Sequence, residues 1–279
     1  MTALIVYKKS TYEFYVLENS EMPLSPKDEA SLKESHDANQ VSIEAVKCAL
    51  KQLNIDYEIT YRAENSNSLD PDIIIAVGGD GTFIEATRAI KNNPVIIGVN
   101  SDPRRSHGHY CKATRGNVLE ALTAIVNGTV GVTKLYRLKF SIDGKEYDFP
   151  AMNDLLIHHS SPAGMTSYSI KNDENLIEDH FCSGIWISSP SGTSGAIASF
   201  NGPTLEYHVK SLAFQTYGLN TIKRDSYLLD KGISNKLTII SKMRDGKIYV
   251  DGRHVVIDFP YNSKLEVLAD KEIATVTRF

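Results

Sequence analysis

Apolar residues gather in short unbroken runs through the first half of the chain and alternate with polar ones through the second. "ALIVY" (Ala3 to Tyr7), "DIIIAVG" and "PVIIGVN" are continuous apolar runs, as expected of strands covered on both faces. "IDYEITYR" alternates Ile55, Tyr57, Ile59 and Tyr61, the period of a strand. Ser25-Pro26-Lys27-Asp28 reads as a helix start with a capping box and a proline in the first turn. Val46, Ala49, Leu50 and Leu53 then share one face of that helix. A second helix, beginning at Thr82, separates the last two apolar runs. Such strand-helix-strand alternation predicts a parallel sheet with right-handed crossovers.

Near Gly128 to Val132 the pattern changes. "VTKLYRLKFSI", "KEYDFPAMNDLLIHH", "MTSYSIK", "GIWISS", "KLTIIS", "KIYVD", "HVVIDF" and "KLEVLA" are short alternating runs punctuated by Gly, Asp and Asn. They predict an antiparallel sandwich or meander, interrupted by one helix that begins near Ser191-Gly192 and runs through "SGAIASF". The fold class is therefore an α/β N-terminal domain, residues 1–130, joined to a mostly β C-terminal sandwich domain, residues 131–279. The end of the chain is free to pack back on the first domain. A cleft between the domains is the natural ligand site. The polar segment Glu18 to Gln40 reads as an assembly element or a surface excursion.

Composition narrows the class. Of 279 residues, 42% are hydrophobic and 23% charged, ordinary for a globular protein with a real core. The net charge of −4 argues against a nucleic-acid or membrane-surface binder, both of which ask for a basic face. No apolar run approaches the ~20 residues that span a bilayer. "MTALIVYKKS" turns polar too early for a signal peptide and is not a basic transit peptide. Cys48, Cys111 and Cys182 are far apart and odd in number, which suggests a reducing, cytoplasmic home.

The chemistry concentrates in "IIIAVGGDGTFIEATRAI", Ile73 to Ile90. Ligands of open parallel sheets bind at the carboxyl ends of strands, and Gly78 sits at such an end. Glycines there let backbone N–H groups approach phosphate oxygens, and a following helix N-terminus favours an anion. Asp80 would repel phosphate, so its place in the turn makes sense if it takes a proton from an attacking hydroxyl or holds Mg²⁺. The plain alternative is a turn in which Asp80 caps the helix. The turn lacks both the GKS/T ending of a P-loop and a G-x-G-x-x-G pattern.

"GGDGT" after a buried strand resembles the signature of the superfamily of NAD kinases, diacylglycerol and sphingosine kinases and, more distantly, phosphofructokinases. "GIWISSPSGTSGAIASFNGP" (Gly184 to Pro203) is similar to the glycine/serine/threonine segment of NAD kinases. "AMNDLLI" (Ala151 to Ile157) resembles their Asn-Glu motif, with Asp154 in place of Glu, and "YVDGR" (Tyr249 to Arg253) resembles their late Asp-Gly. "YKKSTYEFY" and "GVNSDPRRSHGHYC" resemble the branch containing the animal mitochondrial enzyme. The resemblance runs from Leu4 to about Gly252 and implies a Rossmann-like first domain.

It also implies roles. Asp80 would activate the 2′-hydroxyl of the adenosine ribose of NAD and help organise Mg²⁺ around ATP, while Gly78, Gly79, Gly81 and Thr82 cradle phosphates. Asn153 and Asp154 would hydrogen-bond adenine and a ribose hydroxyl, with the shorter Asp reaching through water. Ser191, Thr193, Ser194 and Gly195 would wrap the dinucleotide, and Gly195-Ala196 replaces a usual Ala-Tyr. Asp251 and Arg253 are weaker candidates on a late strand. The resemblance favours a phosphate role for Arg105, leaving Arg104 solvated. His107-His109 and His158-His159 have no partner at metal-ligand spacing. Trp186 reads as core, and Lys8-Lys9 as a solvated strand end. The activity implied is transfer from ATP or polyphosphate to NAD, in a homodimer; a lipid kinase or an inactive NAD(P)-binding sensor are the alternatives.

Overall fold

A computed structural model describes residues 1–18, 24–62, 70–88, 90, 94–222 and 227–278. It divides into two compact units, residues 1–133 with 273–279 and residues 134–272.

The first unit is built on parallel strands β1 (Thr2–Tyr7), β2 (Asp56–Tyr61), β3 (Ile73–Gly78), β4 (Val95–Asn100) and β5 (Cys111–Thr114). They pair in the order β2-β1-β3-β4-β5, all parallel. β3 is buried at every position, as its unbroken apolar run requires. Helix α1 (Pro26–Gln52) opens on Ser25, whose hydroxyl accepts from the Asp28 N–H. Helix α2 (Asp80–Arg88) follows β3 and helix α3 (Val118–Val126) follows β5. Ile43, Val46, Ala49 and Leu50 of α1 and Val118, Ala121, Leu122 and Ile125 of α3 join Ile5, Ile75, Val77 and Val99 in one core on one face of the sheet. Only the second half of α1 contributes buried residues. The polar stretch Glu18 to Gln40 is thus largely the exposed start of a long helix, with 19–23 lying outside the described residues. β5 and α3 were not foreseen: Cys111–Thr114 is short, half-polar and buried only at Ala113.

The second unit holds all but the start of β6 (Gly131–Ile142), then β7 (Lys145–Glu146), β8 (Asp154–His159), β9 (Thr166–Lys171), β10 (Ile177–Cys182), β11 (Gly184–Ser188), β12 (Leu212–Tyr217), β13 (Lys231–Ser234), β14 (Lys236–Ser241), β15 (Gly246–Val250), β16 (Val255–Asp258) and β17 (Lys264–Arg278) as far as Glu272. One sheet runs β13-β12-β11-β8-β15-β16 and is antiparallel throughout. β10, β9, β14 and the first half of β17 form a second antiparallel set. Leu155, Ile157, Ile185 and Ile248 of one sheet pack with Tyr168, Ile170, Ile239 and Val267 of the other. The sandwich expected from alternation is therefore present. The single helix expected after Ser191 is instead two 3₁₀ segments, Ser191–Ser194 and Ala196–Phe200, broken at Gly195. β17 passes Glu272, and its residues Ala274 and Thr275 pair in parallel with Val95 and Ile96 of β4.

Candidate active site

In the first unit the β3–α2 turn is shaped by contacts that exclude larger side chains. A Cβ on Gly78 would lie 2.2 Å from Thr82 Oγ1, and one on Gly79 would lie 2.8 Å from Ser106 Oγ. The Gly79 carbonyl accepts the first helical N–H groups, from Thr82 (3.0 Å) and Phe83 (3.2 Å). Gly79 is thus the cap, and the helix begins at Asp80, two residues earlier than the sequence pattern predicts. Asp80 stands in the first turn, where the helix dipole favours a carboxylate. Its Oδ1 accepts the Tyr110 backbone N–H at 2.8 Å. The Tyr110 ring stacks on Phe83 of the same helix, with centroids 4.9 Å apart and planes within 6°. The carboxylate is therefore held in one orientation by a residue that sequence patterns gave no reason to select. Thr82 is 1% exposed, and its Oγ1 has no hydrogen-bond partner among the described residues.

The loop after β4 frames this turn. The Ser101 N–H donates to Gly78 O (3.0 Å), and Asn100 Nδ2 donates to Ser106 O (2.9 Å). Arg105 does not stand free: it reaches Asp102 Oδ2 at 3.0 Å and Glu34 Oε2 at 2.6 Å. Arg104, expected to be solvated, also pairs with Glu34, at 2.7 Å. Burial pushes the Asp102 carboxyl up, but hydrogen bonds from Arg105 and Ser35 outweigh it and leave its pKa below the ordinary value. Cys111, behind the turn, is pushed up to about 12, first by burial and then by the Asp80 charge, so it is an inert thiol.

In the second unit Asp154 opens β8 with Asn153 just before it, and Asp251 controls their backbone. Asp251 lies not on a strand but in the turn after β15, at φ 50°, a left-handed conformation that Asp tolerates. Its Oδ1 accepts from Asn153 N (2.7 Å) and Asp154 N (3.1 Å), and its Oδ2 from Met152 N (2.8 Å). One carboxylate thus gathers three successive N–H groups, and the Asp251 N–H returns a bond to Asp154 O at 2.9 Å. Asp154 is 6% exposed. Burial, and then the charge of Asp251, push its carboxyl up to about 7. Arg137, also buried, is lowered to about 10 by burial against the opposing pull of Asp251. Neither Arg137 nor the three-fold clamp was visible in the sequence, because the partners are about a hundred residues apart.

The Ser-Gly-Thr segment packs onto the same turn. Ser189 donates its N–H to Asn153 O (2.8 Å) and its hydroxyl to Met152 O (2.5 Å). A Cβ on Gly192 would lie 2.1 Å from Asn153 O, so only glycine lets the two backbones meet. Ser191 and Thr193 are buried, and their hydroxyls donate to Met152 O and Pro190 O. Ser194 and Gly195 are exposed. Among the described residues no group of three or more His, Cys, Asp or Glu side chains is placed to hold a metal ion.

Residues 8–130 match the family model of the ATP-NAD kinase N-terminal domain. Over those residues the chain is similar to the NAD kinase family. It is 27% identical over 259 residues to a probable NADH kinase of Oryza sativa subsp. japonica, covering 84% of this chain and 80% of that protein. It is 28% identical over 204 residues to the NAD kinase of Methanothermobacter thermautotrophicus, covering 72% and 68%. In fold it is similar to an Archaeoglobus fulgidus NAD kinase solved with ATP, with a TM-score of 0.69 at 18% identity over 100% of this chain and 94% of that one. A yeast NADH kinase solved with NADH gives 0.68 at 15%, covering 100% and 84%. Among the described residues no helix is long and apolar enough to cross a membrane.

Proposed function

We propose that the chain transfers the terminal phosphoryl group of ATP to the 2′-hydroxyl of the adenosine ribose of NAD, giving NADP and ADP. The observation that carries this reading is the Gly78–Thr82 turn, with the Asp80 carboxylate fixed through one oxygen by the Tyr110 N–H. The other oxygen is left to take the proton of the attacking hydroxyl, and the glycines and the start of α2 face the phosphates. Phosphoryl transfer asks for alignment and charge neutralisation rather than a covalent intermediate. Mg²⁺ fits as an ion carried by the donor: one carboxylate, Asp80, is at hand, and such ions keep most of their ligands from phosphate and water. When bound it would neutralise charge on the donor.

Asn153 and Asp154 read the adenosine of NAD, kept in register by Asp251. Ser194 and Gly195 border the dinucleotide, while Ser191 and Thr193 hold the shape of their segment. Arg105, braced by Asp102 and Glu34, fixes the loop that carries Ser106 and Tyr110. The protein acts as a homodimer in the cytoplasm, a reading supported for the compartment by three free cysteines. Two relatives bear the name NADH kinase, so NADH is the second acceptor to test.

The test is NADP or NADPH formation by purified protein with NAD or NADH and, separately, MgATP or polyphosphate. Asp80→Asn should lower turnover by about 10² or more while leaving NAD affinity in calorimetry unchanged. Equal turnover in that variant would remove Asp80 as the base.

A further inference from the structure

Two cations at the ends of β1 and β2 have no part in the reading so far. Tyr7, the last residue of β1, is level with Tyr61 of β2 and Val77 of β3. Lys8 and Arg62, the next residues of their strands, therefore stand at the same carboxyl edge as Gly78. The Arg62 N–H donates to Tyr7 O at 2.9 Å, tying the two strand ends together. Arg62 Nε lies 3.3 Å from Glu85 Oε2 on α2, and its Nη1 lies 3.5 Å from where a Cβ on Gly81 would be. The guanidinium is thus braced against the glycine turn itself.

Lys8 is held differently. Asn39 Nδ2 donates to its carbonyl at 3.1 Å, which fixes its backbone. Its half-buried ammonium has no hydrogen bond or ion pair among the described residues, whereas neighbouring Lys9 is paired with Glu18 at 2.6 Å. Burial, and then the positive charge of Arg62, lower the Lys8 pKa, with the Asp102 carboxylate pulling the other way. Two like charges kept together at reduced solvation, one of them without an ion pair among the described residues, are a site that an anion completes. In the turn itself Thr82 Oγ1 is nearly fully buried, without a partner among the described residues, and 2.2 Å from where a Cβ on Gly78 would sit. A hydroxyl so placed is available to a phosphate oxygen in the turn.

We propose that Lys8 and Arg62 form the seat of the donor's phosphate chain against the Gly78–Thr82 turn, with Thr82 donating to it. This role rests on the kinase reading and adds to it the residues that neutralise the donor. Arg62 supplies a fixed planar donor set, and Lys8 supplies a compact charge on a flexible stem that can follow the phosphoryl group as it moves. Nothing in the seat reads a base, so the shared chemistry is a chain of phosphates, whether from a nucleoside triphosphate or from inorganic polyphosphate.

The experiment compares the wild-type chain with Lys8→Met and Lys8→Arg. Calorimetry follows inorganic tripolyphosphate and NAD separately, steady-state kinetics give KM for MgATP, and thermal unfolding checks the fold. Lys8→Met should weaken tripolyphosphate binding and raise KM for MgATP by about 10-fold or more, the loss of one charge-assisted contact. NAD affinity and the unfolding midpoint should stay at wild-type values, and Lys8→Arg should restore most of the loss. Wild-type tripolyphosphate affinity in Lys8→Met overturns the seat, as does an equal loss of NAD affinity or a lowered midpoint. If the wild type binds tripolyphosphate through Lys8 yet forms no NADP or NADPH, the kinase reading fails and the phosphate seat stands.

Discussion

Asp154 gives the sharpest quantitative test. Its carboxyl sits at about 7 in the folded chain, against an ordinary value of 3.8. The cause is burial first and the neighbouring Asp251 charge second. A gap of about 3 at ~1.4 kcal/mol each gives up to about 4 kcal/mol between the protonation states. The sign follows from which state holds the proton. Below pH ~4 the carboxyl is protonated in both folded and unfolded chains, and the site carries no penalty. Between there and about 7 the unfolded chain loses its proton first, so the stabilisation drains away as pH rises, and above about 7 the loss is complete. Asp154→Asn keeps the shape and removes the ionisation. Urea unfolding of both proteins at pH 4.5, 6 and 8 should show the variant gaining on the wild type by several kcal/mol across the series. Taking the difference cancels the titrating groups that do not interact with Asp154, which leaves Asp154 and its neighbour Asp251. Parallel stability curves would refute the burial argument. The same group bears on binding, since a carboxylate accepts from two donors where a protonated acid accepts poorly. NAD affinity of the wild type should therefore climb as pH passes about 7, and in Asp154→Asn that climb should be missing.

Other substitutions probe the remaining contacts. Asp251→Ala leaves the N–H groups of Met152, Asn153 and Asp154 without their acceptor and should cost about 3 kcal/mol in thermal unfolding, with NAD affinity reduced in calorimetry. Gly192→Ala drives a Cβ to 2.1 Å from Asn153 O, so backbone must move; a loss of about 2 kcal/mol and weaker NAD binding are expected, and wild-type NAD affinity would rule out the close approach. Glu178→Gln strikes a buried group that meets His180 Nε2 at 2.9 Å and accepts the Leu229 N–H at 2.9 Å. Breaking that pair should cost about 3 kcal/mol in urea unfolding.

What the sequence disclosed follows from the range of each interaction. Continuous apolar runs announce β1, β3 and β4 because a doubly covered strand has no polar face to show. Ser25 announces α1 because a cap is satisfied within four residues. Asp80 was found because glycines and a carboxylate share five positions. The start of α2 was set two residues late because a backbone carbonyl, that of Gly79, caps it and leaves no side-chain mark. Asp251 was selected, but as a ligand-facing residue on a strand. Its hold on residues 152–154 joins positions about a hundred apart and has no local trace. Lys8 looked like a solvated strand end; only the parallel register with β2 and β3 reveals what lies beside it.

The course of β17 sets a timetable for synthesis. Residues 134–272 form one compact unit from an uninterrupted stretch, whereas the first unit takes in residues 273–279 as well as 1–133. Val276 belongs to the core with Ile97 and Val99, and Thr275 Oγ1 donates to Ile96 O. A chain emerging from a ribosome can assemble β1 to β5 early, but that core lacks a member until some 140 later residues have been made. The edge of β4 beside Val95 and Ile96 stays open through that interval. The part of the protein written first is therefore the part completed last.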